Sequence, residues 1–508
     1  MSDKAMLLIL LRRELLANLM TFRFLVAIVV TLLLVVANTV VLIADYERRL
    51  ISYNTAVQQH REKVSNAKVY CELDGTLFVD RPPNPLSIFN AGLDRRLGNS
   101  ITVRHTLVPT LWDTHSHSAD NPFLNLFSSV DLVLIFQVIL SLLALLFAHD
   151  AIAGEREGGT LRLTMTNPVS RPVILLAKYI SAMACLILPL VMSLLLALIL
   201  FSASGSISLS GDSWVRICGI LLTSIIYLSA FYLIGLLISA LTRRTATALM
   251  LSMVIWSTLV LIYPSLIVFS VNRLWQTPSQ LEAAYGEIEQ IWEGFERERT
   301  NFLKNDEVEG ENTNFNVKGS GSSGTGYNSN SATLRYFRAE FRNWTSMNEA
   351  SEPQLTHVKA FFQFLEPLRI DTADKTGRVR QKALDQVYVH KANFAKSLMR
   401  LSPVTMYDLA TEAWAGTGFH SIENFIISVQ RYRQTVINYF HDKAAFSSRH
   451  WFASDQGAVD WSDLPQFSYH RADVATDIKH ATGDIACLLL INVILFMMTV
   501  LIFVRQEV

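Results

Sequence analysis

The 508-residue chain has only four cysteines, and it lacks the common motifs for nucleotide binding and hydrolysis. No Gly-x-x-x-x-Gly-Lys-Ser/Thr loop is present to hold nucleotide phosphates. Neither a Gly-x-Ser-x-Gly elbow nor a His-Glu-x-x-His pair is found. Cys185, Cys218 and Cys487 lie in long apolar stretches, which leaves Cys71 without a disulfide partner in the polar part of the chain. These absences exclude a disulfide-stapled domain and argue against an ATPase or a hydrolase of these classes.

Charged residues are also scarce inside the long apolar stretches, where Asp131 and Asp484 stand only at the ends. Carriers driven by protons or sodium need ionisable side chains buried in the membrane. Apolar residues make up 51% of the chain and the mean hydropathy is +0.29, which is high for a soluble enzyme. The sequence therefore argues against an ion-driven carrier and favours a membrane protein that obtains its energy from another protein.

Six stretches reach the roughly 20 apolar residues that a helix needs to cross a bilayer about 30 Å thick. They are residues 24–44, 130–148, 173–201, 214–241, 246–271 and 485–504. The sequence predicts an all-α polytopic membrane protein with six transmembrane helices, spans 1 to 6, and two extracytoplasmic insertions, residues 45–129 and 272–484. We expect the larger insertion to be mainly helical and the smaller one to be mixed α/β.

Lysine and arginine cluster in the short segments on one side of the predicted spans. The cluster comprises Lys4, Arg12, Arg13, Arg23, Arg156, Arg162, Arg171, Lys178, Arg243, Arg244 and Arg505. The short loop 202–213 on the other side has neither residue type. Because positively charged loops stay in the cytoplasm, the pattern predicts a bacterial inner-membrane protein with cytoplasmic termini and periplasmic insertions.

Apolar residues recur at helical spacing in both insertions. Residues 50–64 are expected to extend span 1 outward as an amphipathic helix, and residues 69–79 to be extended. A further helix start is predicted at Thr277-Pro278-Ser279-Gln280, with Thr277 as its cap. Three apolar stripes then predict helices: Leu281, Ala284, Ile288, Ile291, Phe295 and Phe302; Leu334, Phe337, Phe341 and Trp344; Phe425, Val429, Tyr432, Val436 and Tyr439.

The loop between spans 2 and 3, residues 149–172, carries the most distinctive motif. Its sequence includes Gly154-Glu155-Arg156-Glu157-Gly158-Gly159-Thr160-Leu161, and Arg171 and Lys178 follow. This pattern resembles the corresponding loop of ABC-2 permeases, the membrane subunits of ATP-binding-cassette exporters. A short charged helix with a glycine break between rigid spans is also a compact lever for a push from a soluble partner. The alternative is a solvated turn that merely connects the two spans.

The resemblance implies that this loop couples the spans to a separate ATPase subunit. The coupling residues would be Gly154, Glu155, Arg156, Glu157, Gly159, Thr160, Leu161 and Arg171. Residues 81–89, 141–146, 401–403 and 415–418 look like the long-insert branch of the same family, which has large outer domains. The family implies a dimer of six-helix subunits, with residues 1–23 as a helix along the cytoplasmic surface.

The resemblance also implies the partners and cofactors of the chain. The second permease subunit would be another copy or a related paralogue. ATP and magnesium would be bound by the partner ATPase, and we expect no cofactor in this chain. Membrane lipids and a periplasmic or lipoprotein accessory protein are further expected partners, whereas nucleic acid is not.

Two groups of polar residues have alternative interpretations. Polar residues within the spans would line a translocation path or simply hydrogen-bond neighbouring helices: Asn38, Gln137, Tyr227, Tyr232 and Asn492. Asp113, His115 and His117 alternate along an extended segment and form a weak candidate for a zinc or copper site. A polar loop near the membrane surface explains these three residues better, and we expect no metal.

Three functions agree with these features. The first is an ATP-driven exporter in which a tilt of the spans moves a substrate outward. The second is a mechanotransmission complex, in which the same tilt moves the periplasmic domains while nothing crosses the membrane. The third is a membrane anchor or receptor without an ATPase, for which the loop 149–172 would bind nothing. The substrate is not identified by the sequence, because the apolar spans suit peptide, lipid, glycan and drug alike.

Overall fold

The computed structural model of the chain describes residues 3–95, 97–115, 130–161, 170–205, 209–274, 278–305, 316–319, 344–348, 352–454 and 456–505. Six helices in this part are long and apolar enough to cross a membrane. Spans 1 to 6 are Phe24–Asn66, Leu132–Glu157, Arg171–Ser204, Gly211–Leu241, Thr245–Leu274 and Val474–Arg505. Each overlaps one predicted stretch, which confirms the all-α polytopic membrane fold.

A separate helix, α1, spans Asp3–Leu19 and packs along span 3, where Asn18 Nδ2 donates to Ser181 Oγ at 3.3 Å. Its exposed side carries Leu8 and Ile9 beside Arg12 and Arg13. Apolar and basic residues on one exposed side are typical of a helix that lies in a membrane interface. The predicted helix before span 1 is confirmed, and its place on the cytoplasmic surface stays a prediction.

Span 1 belongs to a single helix of 45 residues, Phe22–Asn66. At a rise of about 1.5 Å per residue this helix is about 68 Å long, more than twice the thickness of the bilayer core. Its apolar part ends at Ala44, and the remainder continues beyond the membrane with the buried residues Tyr46 and Ala56. The predicted helical continuation of span 1 is therefore confirmed, and its outward direction stays a prediction.

The polar segments 67–115 and 278–473 fold together, and we call them the head domain. Its helices are α2 Pro278–Asn305, α3 Glu352–Leu384, α4 His390–Met399, α5 Pro403–Ala415 and α6 Phe419–Asp442. An antiparallel sheet has the order β1 Phe78–Asp80, β2 Ser100–Thr102 and β3 Thr114–His115. A second antiparallel pair joins β4 Asn316–Gly319 and β5 Trp344–Asn348. Short 3-10 turns lie at Tyr70–Leu73, Pro85–Ile88, Leu111–Asp113, Ala445–Ser447 and Arg449–Trp451.

Both insertions contribute to one apolar core in the head domain. Val79 and Ile101 of the first insertion belong to the same buried cluster as Phe361, Phe425 and Trp451 of the second. The stripe that begins at Phe425 lies on α6, and all five of its residues are buried, as predicted. The two insertions are thus parts of one domain, although the sequence presents them as separate segments.

Two local predictions in the head domain are wrong. Residues 69–79 are not extended throughout, because Tyr70–Leu73 forms a 3-10 turn and the strand begins only at Phe78. The Glu72 carboxylate accepts from Lys68 N at 2.5 Å and stabilises this turn. Trp344 was expected on a helix, but it begins strand β5, where its aromatic side chain has a high strand propensity.

Some predicted elements are not described by the structure. The other members of the Trp344 stripe, Leu334, Phe337 and Phe341, lie outside the described residues, as does the predicted cap Thr277. Helix α2 is described from Pro278, a residue that suits the first turn of a helix. Its described stripe is the predicted one, with Phe295 buried in the core.

Helices α4 and α5, which we call the hairpin, are joined by a short turn at residues 400–402; α4 packs on span 5 and α5 packs against spans 4 and 6. Tyr407 of α5 stacks on Tyr227 of span 4, with ring centroids 4.3 Å apart. Tyr227 lies about 24 Å from Gly211, the first residue of span 4, at 1.5 Å per residue. The hairpin tip is bound to span 6 by the ion pair between Arg400 and Asp484 at 2.8 Å. Part of the segment 272–484 therefore packs inside the membrane domain, which the sequence did not indicate.

Short π-helical segments interrupt spans 2 and 5 next to this hairpin. They are Phe136–Leu140 in span 2 and Thr258–Ile262 in span 5. The Tyr227 hydroxyl donates to Gln137 O at 3.0 Å, and Ser402 Oγ donates to Leu259 O at 3.1 Å. Because a π segment breaks the regular backbone pattern, its carbonyls are available to such partners. The hairpin is thus bonded directly to the irregular part of span 5, whereas the irregular part of span 2 is bonded to span 4, on which Tyr407 of the hairpin stacks.

Candidate functional site

The loop 149–172, whose first residues form the end of span 2 after the apolar helix stops at Ala148, is fixed to span 4 by one serine. Ser239 Oγ accepts from Ile152 N at 3.1 Å and from Ala153 N at 2.9 Å. The same hydroxyl donates to His149 O at 2.8 Å. The short helix Ala153–Glu157 therefore starts from a buried serine on span 4, with its first backbone amides satisfied.

A buried ion-pair group connects the loop to span 3 and α1. Lys178 Nζ lies 2.7 Å from Glu155 Oε1 and 3.2 Å from Glu14 Oε1. The Lys178 side chain is 6% exposed. Removing one partner of a buried pair leaves an uncompensated charge and costs about 3–5 kcal/mol. The group therefore bonds the loop to both span 3 and α1.

The next two motif residues bind the facing ends of spans 4 and 5. Arg156 Nη1 donates to Thr242 O at 2.9 Å, just after the last residue of span 4. Glu157 Oε2 accepts from Thr245 N at 2.9 Å and from Thr245 Oγ1 at 2.8 Å. A cation at a helix C-terminus and a carboxylate at an N-terminus both complement the helix dipole. The loop thus connects to both helices of the span 4–5 turn.

The remaining coupling candidates serve different purposes. Gly159 has φ +74°, a left-handed conformation that favours glycine, and Thr160 beside it is exposed. Leu161 is buried in the membrane-domain core. Arg171 Nη1 donates to Val504 O at 2.7 Å, near the end of span 6. Gly154 lies on the short helix, and residues 162–169 are outside the described part.

The loop therefore connects four spans and leaves one of its own surfaces exposed. The side chains of Glu155, Arg156, Glu157 and Arg171 hold spans 3, 4, 5 and 6, while residues 158–160 are exposed. Displacement of the loop would act on all four spans together. The sequence identified the charged motif, but it gave no signal for Ser239, Thr245 or Glu14, which are ordinary polar residues until the fold brings them to the loop.

The polar residues within the spans mostly bond neighbouring helices. Tyr227 donates to Gln137 O, and the Tyr232 hydroxyl donates to Lys178 O at 3.3 Å. Asn492 Nδ2 donates to Ile226 O at 3.1 Å. Asn38 Nδ2, in contrast, is buried on span 1 without a hydrogen bond. These contacts agree with the helix-bonding interpretation, and the translocation path stays a prediction.

The structure does not bring the described residues of the weak metal candidate, Asp113 and His115, together in one site. The Asp113 carboxylate accepts from Thr110 Oγ1 at 2.7 Å and pairs with Arg380 Nη2 at 2.8 Å. His115 is exposed on strand β3, and His117 lies outside the described residues. Among the residues that the structure describes, no three His, Cys, Asp or Glu side chains are grouped to hold a metal ion. Asp113 joins the two insertions instead.

Comparison with known proteins points to the same family as the loop motif and the six spans do. Residues 8–508 match the family model described as ABC-2 family transporter protein. A segment of 42 residues is 55% identical to the probable ABC transporter permease protein NosY of Stutzerimonas stutzeri and 52% identical to that of Pseudomonas aeruginosa. Each match covers 8% of this chain and 15% of the relative. The chain therefore belongs to the ABC-2 transporter family and is a multi-pass membrane protein.

Proposed function

We propose that this chain is the membrane subunit of an ATP-driven exporter whose loop 149–172 receives movement from a separate ATPase subunit. The ion-pair group of Lys178, Glu155 and Glu14 carries this proposal, because it makes the loop continuous with span 3 and α1. ATP and magnesium belong to the partner ATPase. The loop faces the cytoplasm and the head domain faces the periplasm, in agreement with the basic residues on the loop side.

The movement follows from the contacts of the loop. A push on the exposed residues 158–160 reaches span 4 through Ser239 and span 5 through Glu157. Because these contacts lie at helix ends, a small displacement there becomes a tilt of rigid helices. Two copies of the chain, or one copy with a related paralogue, would tilt together and move a substrate outward.

A second candidate function is mechanotransmission to the head domain, and the contacts between spans and head favour it. Arg216, buried near the start of span 4, forms an ion pair with Asp477 of span 6 and donates to Ala472 O at 2.9 Å. Arg471, next to this carbonyl, donates to Pro83 O at 3.0 Å. A tilt of spans 4 and 6 would thus move the head domain directly, and an accessory periplasmic protein or lipoprotein would receive that motion.

The coupling proposal is tested with the Lys178→Met variant, which removes the charge that joins the loop to span 3. We expect the wild-type chain to copurify with an ATPase subunit and to stimulate its ATP hydrolysis. The stimulation by the Lys178→Met variant should be at least tenfold smaller than that by the wild type. Lys375→Met is the matched control, since Lys375 pairs with Asp371 on the surface of the head domain. Absence of any ATPase partner, or full stimulation in Lys178→Met, contradicts the proposal and leaves the anchor function.

Export and mechanotransmission differ in whether water reaches the spans. In a chain whose four native cysteines are replaced by alanine, Asn38→Cys and Gln137→Cys report on access to the predicted path. Labelling by a water-soluble thiol reagent that appears only with ATP indicates export. Cysteines that stay unlabelled with and without ATP, together with ATP-dependent hydrogen-exchange changes around Arg216 and Asp477, indicate mechanotransmission.

A further inference from the structure

Three arginines converge where span 1 leaves the membrane towards the head domain. Arg49 lies on span 1 one turn after Asp45, which directly follows the apolar part of this helix. Arg81 follows strand β1, and Arg95 lies in the turn that begins at Ala91. We call Arg49, Arg81 and Arg95, with Asp45 and Asp94, the arginine corner.

The arginine corner lies at the level of the membrane surface. Asp131 caps span 2, where its Oδ1 accepts from Leu134 N at 2.7 Å. The other carboxylate oxygen accepts from Ala91 N at 2.9 Å. The turn that carries Arg95 is therefore bonded to the first residues of a membrane span. Lipid headgroups are found at this level, so that a headgroup phosphate comes within reach of the corner.

Two of the three guanidinium groups have good partners. Arg49 lies 3.1 Å from Asp45 Oδ2 and 3.2 Å from Asp94 Oδ2, and it donates to Ser87 Oγ at 2.9 Å. Arg81 Nη2 lies 3.0 Å from Asp94 Oδ1, while its Nε is buried without a hydrogen bond. The side chain of Arg81 is 4% exposed. Both carboxylates of the corner are thus already engaged by Arg49 and Arg81.

Arg95 lacks an adequate partner. Among the residues that the structure describes, none accepts a hydrogen bond from its buried Nε, Nη1 and Nη2. Within the same part of the chain its one ion-pair contact is to Asp45 Oδ2 at 3.4 Å, an oxygen that Arg49 already binds at the shorter distance. Burial and the neighbouring Arg49 charge lower the pKa of Arg95 from its usual value. Buried donors without acceptors are rare in native proteins and point to a missing ligand, ion or water.

The wider charge balance around the corner is also positive. Arg471 interacts electrostatically with Asp94, and Asp131 interacts with Arg95. Adding these two residues gives four arginines and three aspartates, a balance of one positive charge. One singly charged anion would neutralise the group. The planar fork of arginine matches the oxygens of a phosphate group through two parallel hydrogen bonds.

We propose that the arginine corner binds a phosphate group through Arg95, supported by Arg49 and Arg81, and that the phosphate belongs to a phospholipid headgroup. The guanidinium nitrogens of Arg95 are buried, but its side chain is 12% exposed and lies in a turn, so that a change of its side-chain rotamer brings the guanidinium to a headgroup. A bound lipid would fix the head domain to the membrane surface at the base of span 1.

The test uses the full chain in a maltoside detergent, which contains no phosphate. Lipid retention is measured by native mass spectrometry and thermal unfolding by intrinsic fluorescence, with either phosphatidylglycerol or inorganic phosphate added at constant ionic strength. We expect the wild type to retain phosphatidylglycerol and to gain thermal stability from it. The Arg95→Gln variant should bind the lipid at least tenfold more weakly. Stabilisation by inorganic phosphate alone, without lipid retention, overturns the lipid assignment and leaves a site for free phosphate.

Two further variants separate binding from folding. Arg48→Gln is the matched control, because Arg48 is exposed on the same helix and donates only locally, to Ala44 O at 3.2 Å. It should behave as the wild type does. Asp45→Asn removes the carboxylate that competes for Arg95 and should tighten phosphate binding. Equal lipid retention in Arg95→Gln and wild type, or a wild type that responds to neither addition, overturns the proposal.

Discussion

At the scale of single residues, Gly219 allows the hairpin of the head domain to approach span 4. A Cβ atom at this position would overlap the indole ring of Trp414 on α5. Gly235, on the same span, similarly lies against the side chain of Ala148 on span 2. Glycine at these positions therefore reflects close packing between helices.

The Gly219→Ala variant should destabilise the protein by about 1–3 kcal/mol, because the added methyl group forces the Trp414 ring or the α5 backbone to move. Gly483→Ala is the control, since a Cβ at Gly483 on span 6 meets no atom within 4 Å. Thermal unfolding of the two variants in the same detergent measures the difference. A Gly219→Ala protein as stable as Gly483→Ala would show that the hairpin packs loosely.

The sequence predicted individual residues only where they form a local pattern. Glu155, Arg156 and Glu157 stand out as alternating charges beside glycines; the structure places Arg156 and Glu157 in contacts to helix ends and Glu155 in an ion pair with Lys178 of span 3. Ser239 was not predicted, because a single serine in an apolar helix is indistinguishable from one that bonds its own backbone. Its role depends on a loop about ninety residues earlier, a distance over which the sequence holds no periodic signal.

At the scale of elements, the long helix of span 1 is a rigid connection between membrane and head domain. Its continuation was predictable, because apolar residues keep helical spacing beyond Ala44 and no glycine or proline interrupts the helix. The packing of hairpin helix α5 against the spans was not predictable from the sequence. This helix has 13 residues, too few to cross a bilayer, and Asp408 and Glu412 lower its hydropathy.

Interrupting the part of this helix after Ala44 should uncouple the head domain from span 1. Gln59 is exposed on it, so that Gln59→Pro removes a backbone hydrogen bond without disturbing a buried side chain. We expect a loss of about 3 kcal/mol in stability, whereas Gln59→Ala should leave stability within about 0.5 kcal/mol. Hydrogen exchange of residues 45–66 would locate the change. Unchanged protection in Gln59→Pro would mean that the head domain does not need a continuous helix.

At the scale of the whole molecule, a buried histidine joins the two insertions. His105 Nδ1 lies 3.1 Å from Asp74 and Nε2 lies 2.8 Å from Glu366 of α3. Burial alone would lower the pKa of His105, but the charges and hydrogen bonds of these carboxylates raise it to about 9. Burial would likewise raise the pKa of Asp74, yet the His105 charge lowers it to about 2. The histidine is therefore charged at neutral pH.

The stability of the head domain should depend on this histidine at both pH extremes. The raised pKa of His105 contributes fully below its unfolded value of 6.5, and this contribution is lost as pH rises through about 9. The lowered pKa of Asp74 contributes above its unfolded value of 3.8, and this contribution is lost as pH falls through about 2. Stability should thus be highest between about pH 4 and 6.5.

Thermal unfolding from pH 4 to 10 measures this dependence. The His105→Gln variant should unfold at lower temperature at pH 6 and should lose the decline between pH 6.5 and 9. His115→Gln serves as control, because His115 is exposed on strand β3. A wild-type profile that stays flat through pH 9 would contradict the assignment of a charged His105.

The shared core of the head domain sets the order of events during biosynthesis. Val79 and Ile101 belong to the same core as Phe425 and Trp451, but spans 2 to 5 are made between them. At roughly 5–20 residues per second, about 20–70 s separate the synthesis of Val79 from that of Phe425. The early insertion waits during this interval with apolar side chains exposed to water. The newborn chain is therefore most vulnerable to proteases and to aggregation after span 2 has been inserted and before α6 has emerged.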